Sequence, residues 1–599
     1  LREAGASARA MLVGAAAQQW QVPTSECDVK DGVVSHSSGK KATFGELSAA
    51  AAKVGLPPSI TLKPAVDFKL IGQSLPRLDT DAKSDGSAMF VGDIRPSGLL
   101  FACVRMNPIL GGKLQSFDDS KALAMPGVKK VLAIDALHGT SAGVAVVAAS
   151  TYQAMKALTQ VEVKWDNAAS SAWSSDTIDA ELRKALDSDT GFAYFSNGDA
   201  ASALQKAART VKAEYHAPYL AHATMEPMNC TAQFKGGLLE IWAPTQVPGL
   251  ARAAAAKVAN VSADKVKVNV TLLGGGFGRR LEADVVAQAT QIAMALDGVP
   301  VQMVWSREQD MSHDFYRPMH VAQLSAALNA KGEVESLRIK SAGDAISPRW
   351  MSRVLPALSG PLDAPDKTTA EGLFDLPYAF ANQHMSHVST RMGVPIGFWR
   401  SVGHSHNAFF SESFIDELAF ETKQDPLAFR LSLLKQVPRY AAVLKLAAEK
   451  ANWGSALPAG HAHGLAFHES FGSIVAQVAE VSIQGGMPHV HRVVCAIDCG
   501  TVVNPGTVAQ QVESSVNFAL SAALFGNIDI QDGVVQQTNF TNYPLVQMAQ
   551  SPAVETWIVP STHSPEGVGE PGVPPLAPAV ANALFKLTGQ RMRSLPFKA

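Results

Sequence analysis

In the middle of the chain, the pattern of apolar and polar residues changes period around a run of glycines. Residues 265–272 alternate polar and apolar side chains with a period of two, which is typical of a half-buried strand. Apolar residues then recur at helical spacing across residues 281–296, and Asp297-Gly298 gives a stop signal. A second strand is predicted at residues 299–305. The pattern therefore predicts a strand–loop–helix–strand unit whose loop, residues 273–280, is rich in glycine.

The same two periods recur along the rest of the chain, and no internal repeat is evident. Helices and strands alternate irregularly, which is typical of an α+β fold. The predicted elements are an N-terminal helix and a helix from Thr43; strands at 88–91, 98–104, 129–134, 143–148 and 161–165 with a helix at 151–158; a helix from Asp425-Pro426; strands at 474–482 and 491–497; and a helix at 576–587 that Gly589 ends.

The length of 599 residues is sufficient for several hydrophobic cores. Together with the order of the elements, it predicts an α+β protein of several domains. The linker is inferred from composition, since residues 167–175 consist mostly of Ala, Ser and Asn. The expected portions are an N-terminal segment at 1–64, a small α/β domain at 65–166, a linker at 167–193, and two larger α+β portions at 194–438 and 439–599.

The composition excludes several classes of protein. Hydrophobic residues make up 47% and charged residues 17%, which is typical of a globular chain and not of a disordered one. The 51 Lys and Arg nearly balance the 53 Asp and Glu, so no nucleic acid is expected as a partner. The five cysteines form no ferredoxin-like run, so no iron–sulfur cluster is expected in this chain. No apolar run is long enough for a transmembrane helix.

The first residues imitate a short secretory signal, because Arg2 and Arg9 precede the apolar run 10–17. A folded helix is the preferred interpretation, since this run is short and the chain opens with Leu. The sequence is therefore expected to start inside a domain.

A glycine loop between a strand and a helix is suited to bind an anion. Backbone N–H groups can approach the ligand closely there, and the helix dipole favours negative charge. A pyrophosphate or a metal-oxo centre would fit such a loop. The spacing is neither G-x-G-x-x-G nor that of a phosphate-binding loop ending in Lys-Ser/Thr. Taken alone, the loop is explained equally well as a tight turn without a ligand.

Three further motifs accompany the loop, at residues 242–252, 397–403 and 566–575. The four motifs in this order resemble the molybdenum-binding large subunit of the xanthine oxidase family. The nearest branch is the one that contains isoquinoline 1-oxidoreductase and the membrane-bound aldehyde dehydrogenases of acetic acid bacteria. The resemblance covers nearly the whole chain. It implies a small hammerhead-like domain and two larger molybdopterin-binding domains, with residues 1–64 as an incomplete part of one of them.

The resemblance implies roles for individual residues. Glu570 matches the family's general base, and Gln246 matches a glutamine beside the apical oxygen of molybdenum. Phe277 matches a position whose backbone contacts the molybdenum ligands. Without the other motifs, Glu570 would be interpreted as a carboxylate near a helix N-terminus, and Gln246 as a surface or capping residue. No direct protein ligand to molybdenum is expected, because the dithiolene of the pterin holds the metal.

Arg400 matches an arginine that packs against the molybdenum site, where a fixed cation stabilises developing negative charge. Gln511 belongs to a stretch that resembles the family's dinucleotide-binding part. Ser514-Ser515 replaces the usual glycines there, which weakens that assignment. The remaining expected cofactor contacts are Gly275, Gly276, Gly278, Arg279, Ser401 and Gly569.

Trp399, Val402 and Leu281 are the expected substrate-pocket residues. Leu281 and Val402 stand where purine-hydroxylating relatives have a binding glutamate and a stacking phenylalanine. No substrate-anchoring arginine is found near residues 373–378. A pocket without these anchors holds a purine poorly, because recognition of a polar substrate depends on paired buried groups. Oxidation of aldehydes is therefore the first expectation, and hydroxylation of N-heteroaromatics such as isoquinoline or nicotinate stays open beside it.

The family resemblance also implies a cofactor and partners. The cofactor is expected to be molybdopterin cytosine dinucleotide, and the electrons are expected to pass to a small subunit with two [2Fe-2S] clusters. Some relatives add a membrane-anchored cytochrome c, and members of the branch are often exported, so a periplasmic location is expected. Relatives also carry a Gly-Gln-Gly loop that this chain lacks. A preceding segment is therefore expected to be absent from this chain or supplied by a separate polypeptide.

Three H-x-H pairs offer a different class of enzyme. They are His404/His406, His461/His463 and His489/His491. On a strand, such a pair faces one way and can bind zinc, so a zinc hydrolase is the alternative. No H-E-x-x-H or C-x-x-C accompanies the pairs. A cofactor-free relative without enzymatic activity is a third hypothesis, which Ser514-Ser515 keeps open.

Overall fold

The computed structural model describes residues 1–167, 171–360 and 365–597, which form two compact units, Leu1–Leu75 and Pro76–Ala599. In the first unit, two helices accompany an antiparallel three-stranded sheet of order β1-β2-β3. Thr43 begins the second helix with a capping box to Glu46. The N-terminal helix and the helix after Thr43 are confirmed. The elements are α1 (Arg2–Trp20), β1 (Cys27–Lys30), β2 (Val33–His36), β3 (Lys41–Thr43) and α2 (Phe44–Ala51).

The first half of the second unit contains the central strand–loop–helix–strand segment. Its elements are α3 (Thr80–Asp85), β4 (Leu100–Met106), β5 (Lys113–Asp118), α4 (Ser120–Leu123), β6 (Val128–Ile134), β7 (Gly143–Ala148), α5 (Thr151–Leu158), β8 (Glu162–Asp166), α6 (Ser175–Ser188), β9 (Phe192–Asn197), α7 (Ala200–Gln205), β10 (Arg209–Ala217), β11 (Asn229–Lys235), β12 (Leu238–Ala243), α8 (Pro248–Ala259), β13 (Val266–Val270), α9 (Asp284–Met294) and β14 (Val301–Val304).

The second half contains the remaining helices and strands. Its elements are α10 (Arg307–Ser312), β15 (His320–Leu328), β16 (Val334–Asp344), α11 (Ile346–Val354), α12 (Lys367–Ala370), β17 (Asn382–Thr390), α13 (His404–Glu421), α14 (Pro426–Leu433), α15 (Pro438–Lys450), β18 (His461–Ser470), β19 (Ser473–Gln484), β20 (Met487–Asp498), α16 (Pro505–Leu524), β21 (Ile530–Gln531), β22 (Val534–Val535), β23 (Ala553–Ile558) and α17 (Leu576–Thr588).

A seven-stranded mixed sheet of order β13-β12-β11-β14-β4-β7-β6 carries the central segment. β12 and β13 pair in parallel, as do β14 and β4. The predicted strand, helix and second strand are confirmed as β13, α9 and β14. The helix begins at Asp284 instead of residue 281, because residues 279–281 form a 3₁₀ turn at the end of the glycine loop. Strands from residues 100–148 and from 229–304 share this sheet, and the expected division into domains stays a prediction.

Two further sheets enclose the buried helix α13. The first has the order β10-β15-β16-β17-β9 and the second β18-β19-β20-β23. Helix α13 contacts β10 and β15 of the first sheet, and β18 and helix α17 on the other side. Every residue from His404 to Ala419 is buried. The motif at 397–403 leads directly into α13, and the motif at 566–575 leads into α17, so the packing of these two helices brings the motifs together.

Two predictions differ from the structure. The strand expected at residues 88–91 is wrong, since only Phe90 forms a single bridge, with Leu272. Within the expected linker 167–193, residues 168–170 lie outside the described residues, and α6 occupies most of the rest. Helix α6 buries Ile178, Leu182 and Leu186 at helical spacing, a pattern that the Ser- and Ala-rich sequence before it concealed. Among the described helices, none combines the length and apolar character that a membrane span needs.

Candidate active site

The glycine loop follows β13 and adopts a backbone that requires glycine. Gly275 and Gly278 have φ angles of 101° and 105°, in the left-handed region that L-residues avoid. A Cβ atom at Gly278 would overlap the carbonyl oxygen of Phe398. Phe277 itself has a φ of 55°, which is rare for a non-glycine residue. The loop is therefore a strained turn, as is common at functional sites.

Three consecutive backbone N–H groups of this loop are open. Within the described residues, the N–H groups of Gly275, Gly276 and Phe277 have no acceptor. On either side of them, the N–H of Gly274 donates to Glu226 Oε2 at 2.9 Å and that of Gly278 donates to the side chain of Gln246. Successive free N–H groups in such a turn form a binding site for an anion.

The side chain of Gln246 is oriented by the same loop. Its Oε1 accepts hydrogen bonds from the N–H groups of Gly278 at 3.3 Å and Arg280 at 3.2 Å. Both partners are donors, so this oxygen is assigned unambiguously and the amide NH₂ points elsewhere. The residue is exposed, and the NH₂ has no partner among the described residues. Gln246 therefore presents two free donors beside the loop.

Buried ion pairs hold the loop from behind. Arg279 lies 2.6 Å from Asp284 Oδ2 and 3.1 Å from Asp314 Oδ1, and Asp314 accepts a hydrogen bond of 2.9 Å from His222 Nδ1. Burial disfavours the charge on Arg279, but these carboxylates keep its pKa above the ordinary value. Arg279 was expected to contact the cofactor. It is instead 1% exposed and directed into the protein, where it supports the loop.

Arg400 connects the glycine loop with two other motifs. Its guanidinium donates to Gly569 O at 2.8 Å, Ser514 Oγ at 3.0 Å, Ser515 Oγ at 2.9 Å and Gln511 Oε1 at 3.2 Å. Burial lowers the pKa of Arg400 to about 10, although nearby Glu570 opposes the shift. The two serines, which differ from the usual glycines, thus supply acceptors for this arginine.

Three aromatic rings stack beside Arg400. Phe518 lies 4.6 Å from Phe277 and 4.6 Å from Trp399 between ring centroids, and Arg400 lies over Phe277 and Phe518. Trp399 is buried and donates a hydrogen bond to the carbonyl of Ala221. Its ring therefore contributes more to the support of the site than to the surface that lines the pocket. Phe518 was missed by sequence analysis. It follows Gln511 by seven residues on α16, so helical spacing from Gln511 is the signal that would have found it.

Glu570 is fixed by the turn that follows Arg400. Ser401 donates from its N–H to Glu570 Oε1 at 2.9 Å and from its hydroxyl to Glu570 O at 2.8 Å. Ser401 and Val402 have φ angles of 75° and 50°, which are rare for non-glycine residues, and the N–H of Val402 donates to the carbonyl of Trp399. Within the described ranges, Glu570 Oε2 has no hydrogen-bond partner. A Cβ atom at Gly569, the residue before Glu570, would meet no atom outside its chain neighbours within 4 Å.

The other two expected pocket residues keep apolar side chains near the same turn. Leu281 and Val402 are both half-buried. The carbonyl of Leu281 accepts a hydrogen bond of 3.2 Å from Trp350, whose ring packs edge-on against Phe398. Sequence analysis also missed Glu371, whose Oε1 lies 3.3 Å from the N–H of Gly403.

The histidine pairs do not assemble a metal site within the described residues. His404 and His406 lie on helix α13 and not on a strand, and His463 stacks on Trp453. His461 pairs with Glu480. No group of three or more His, Cys, Asp or Glu side chains in that part of the chain is arranged to hold a metal ion. The zinc hydrolase hypothesis therefore has no supporting geometry there.

Comparisons with known proteins agree with this arrangement. A model of the molybdopterin cofactor-binding domain matches residues 187–433, and a second model of that description matches residues 432–552. The chain is 31% identical over 651 residues to the beta subunit of isoquinoline 1-oxidoreductase from Brevundimonas diminuta, with 100% of this chain and 81% of the relative covered. It is 30% identical over 647 residues to a membrane-bound aldehyde dehydrogenase (pyrroloquinoline-quinone) of Gluconacetobacter polyoxogenes, with the same coverage of 100% and 81%.

Solved structures share the fold at low sequence identity. Quinoline 2-oxidoreductase from Pseudomonas putida 86 superposes with a TM-score of 0.72 at 15% identity, over 88% of this chain and 97% of the other. Aldehyde oxidoreductase from Desulfovibrio gigas gives 0.70 at 15% identity, over 92% and 83%. The fold and the matched domains define a molybdopterin-binding oxidoreductase, and the chain belongs to the xanthine oxidase family as a large subunit.

The residues present fit a molybdopterin group. Within the described residues, the three N–H groups of the glycine loop that have no acceptor and the unpartnered NH₂ of Gln246 are donors for anionic or oxo groups. A side chain at Gly569, next to Glu570, would fill open space. Arg400 connects the glycine loop with the segment that contains Glu570, since it lies over Phe277 and donates to Gly569.

Proposed function

We propose that this chain is the catalytic subunit of a molybdenum hydroxylase that oxidises aldehydes to carboxylic acids with oxygen derived from water. The observation that carries the proposal is the carboxylate of Glu570, held at Oε1 by Ser401 and open at Oε2, beside a loop with three free N–H groups. Hydroxylation of an N-heteroaromatic ring is the second candidate. It is favoured by the similarity to the beta subunit of isoquinoline 1-oxidoreductase over the whole chain.

In the proposed mechanism, Glu570 is the general base. When bound, the molybdopterin group supplies a metal that accepts the two electrons removed from the substrate. Glu570 accepts a proton at Oε2, while the hydrogen bond from Ser401 keeps the carboxylate in place. The buried charge of Arg400 stabilises negative charge near this carboxylate, and Leu281 and Val402 exclude water from the substrate side.

We further propose that the cofactor is the cytosine dinucleotide form. Gly275, Gly276 and Phe277 would hold its anionic groups through their N–H groups, and Gln246 would donate from its NH₂. Gln511 and Ser401 lie next to Arg400 and Glu570 and would complete the contacts. The membership of the isoquinoline oxidoreductase branch, which is expected to use this form, supports the proposal.

The proposed partner is a small subunit with two [2Fe-2S] clusters, with a membrane-anchored cytochrome c as a further electron acceptor. Support comes from relatives that are named as subunits of larger enzymes, among them a nicotinate dehydrogenase component of Pseudomonas putida. A periplasmic location is part of the same proposal. Cell fractionation followed by affinity purification of the complex tests both the location and the partners.

Elemental analysis of the purified native complex tests the cofactor first. About one molybdenum per chain is expected, with cytidine monophosphate released by mild acid hydrolysis. A protein that contains zinc but neither molybdenum nor nucleotide would overturn the proposal. The substrate class is then decided with an artificial electron acceptor, by comparing carboxylate formation from simple aldehydes with hydroxylation of isoquinoline and nicotinate.

A further inference from the structure

The turn at residues 401–403 holds a second carboxyl group beside Glu570. Ser401 donates its N–H to Glu570 Oε1 at 2.9 Å. The N–H of Gly403 lies 3.3 Å from Glu371 Oε1 and also donates to the carbonyl of Thr368. Consecutive Cα atoms are about 3.8 Å apart, so these two N–H groups lie within roughly 8 Å of each other. The two carboxyl groups therefore share one turn, although 199 residues separate them in the sequence.

The surroundings of Glu371 favour its protonated form. Its side chain is 18% exposed, and the groups that face it are the acidic Asp375, Asp366 and Glu570 and the imidazole of His404. Burial is the main cause that raises the pKa of Glu371 to about 9, and the negative charge of Asp375 is the second cause. At neutral pH, Glu371 is therefore a carboxylic acid, which both accepts and donates a hydrogen bond.

A pair of neutral histidines continues from Glu371. His404 Nε2 lies 3.7 Å from Glu371 Oε2, and His404 Nδ1 is hydrogen-bonded to His468 Nε2 at 2.8 Å. Burial lowers the pKa of His404 to about 4, so its ring is neutral and accepts at one nitrogen. His404 thus lies close to Glu371 without adding charge. Asp375, whose negative charge acts on Glu371, is exposed.

We propose that Glu371 is a proton relay that returns Glu570 to its carboxylate form after each turnover. The inference rests on the proposed function, in which Glu570 accepts one proton per substrate. Protonated Glu570 gives that proton to one oxygen of Glu371 through water, and Glu371 releases its own proton from the other oxygen toward Asp375 and solvent. One proton enters Glu371 and one leaves, so Glu371 ends as it began and Glu570 is again ionised.

The variant Glu371→Gln separates the relay from a structural role. The amide keeps the size and the oxygen that faces Gly403, but it cannot pass a proton on. In rapid mixing of the oxidised complex with substrate, the first reduction should proceed at the wild-type rate. Steady-state turnover should fall by about tenfold or more, with a larger solvent isotope effect, and small diffusible acids and bases such as imidazole should restore it.

Glu480→Gln is the matched control, because Glu480 is another half-buried carboxyl and its partner is His461, which is not part of the turn. This variant should leave both phases unchanged. Two results would contradict the relay hypothesis. Glu371→Gln would either slow the first reduction as well, or keep the full rate of steady-state turnover. Absence of turnover in the wild-type complex would instead contradict the proposed function.

Infrared difference spectroscopy tests Glu371 without reference to activity. In the purified chain, a carboxylic acid band should titrate with a pKa near 9, and Glu371→Gln should remove it. Asp375→Asn should lower that pKa, because it removes the nearest negative charge. If the band is absent from the wild type at neutral pH, Glu371 is ionised there and the relay is excluded.

Discussion

The glycine loop at residues 273–280 and the turn at residues 399–403 both contribute to the candidate site, but their charged groups have different partners. Behind the loop, Arg279 is paired with Asp284 and Asp314, and Arg280 is paired with Glu226 at 3.0 Å. At the turn, Arg400 donates to carbonyl, amide and hydroxyl oxygens, and Glu570 accepts from a backbone N–H. Within the described residues, neither side chain forms an ion pair.

This difference separates charges that maintain shape from charges that are available for chemistry. A buried ion pair is neutral as a whole and holds its two partners in one arrangement, at a substantial cost if one partner is removed. A buried charge with only neutral partners keeps its field, which then acts on a bound group. Four substitutions test whether the charges on the two sides differ in this way.

The largest effect is expected for Glu570→Gln on turnover. The amide oxygen still accepts the hydrogen bond from Ser401, so folding and molybdenum content should stay as in the wild type. The rate should fall by about 10²-fold to 10⁴-fold, since the general base is lost. Steady-state kinetics and metal analysis on the same preparation check both statements. Turnover above one tenth of the wild-type rate would remove Glu570 from the role.

On the ion-paired side, Asp314→Asn should destabilise the protein without a direct effect on chemistry. The change leaves Arg279 with one carboxylate and removes the carboxylate beside His222 Nδ1. The free energy of unfolding should fall by about 3–5 kcal/mol, as when one member of a buried ion pair is removed. Denaturant unfolding measures this loss. Glu162→Gln is the control, because its pair with Lys121 is exposed and should contribute far less to stability than a buried pair.

At the turn, Glu371→Gln should have the opposite effect on stability. The folded-state pKa of Glu371 is raised to about 9, so the folded protein binds its proton more tightly than the unfolded chain does. Stability is therefore lost as the pH rises from the unfolded value of about 4.3 toward 9. The Glu371→Gln variant has no titrating group at this position and keeps this stability. At pH 7 it should therefore be more stable than the wild type by on the order of 1–3 kcal/mol. Unfolding curves at pH 4.5 and pH 8 should show the difference grow with pH.

The smallest effect is expected for Ser515→Ala. This change removes one neutral acceptor of Arg400 and leaves Ser514, Gln511 and the carbonyl of Gly569. The free energy of unfolding should fall by about 1–2 kcal/mol, as for one hydrogen bond to a charged group. A loss comparable to that of Asp314→Asn would mean that the two sides of the site do not differ in the proposed way.

Local patterns predicted the elements that carry the site. The change of period around residue 273 predicted β13, α9 and β14, and the motif order predicted that Gln246, Arg400 and Glu570 belong to one site. In the structure, Gln246 accepts a hydrogen bond from Arg280 of the glycine loop, and Arg400 lies over Phe277 of that loop and donates to Gly569, the residue before Glu570. These features were accessible because a strand, a helix and a glycine turn depend on residues that are close in sequence.

The direction of individual side chains was not accessible in the same way. Arg279 belongs to the glycine motif, yet it is directed into the core, because Asp314 lies behind the loop. Ser514-Ser515 was interpreted as a weakened motif, yet both hydroxyls bind Arg400. Each of these outcomes depends on a partner from a distant part of the chain, which no local pattern contains.

By itself, the sequence determined the periodic elements, the strained glycine turn and the motifs that identify the family, because each follows from short-range backbone preferences and residue types. Only the tertiary structure decided which charges are neutralised and which stay available. The packing of α13 and α17 between two sheets places Glu371 and Glu570 at one turn. Burial and neighbouring charge then set their protonation, and both are properties of the assembled environment and not of the residue type.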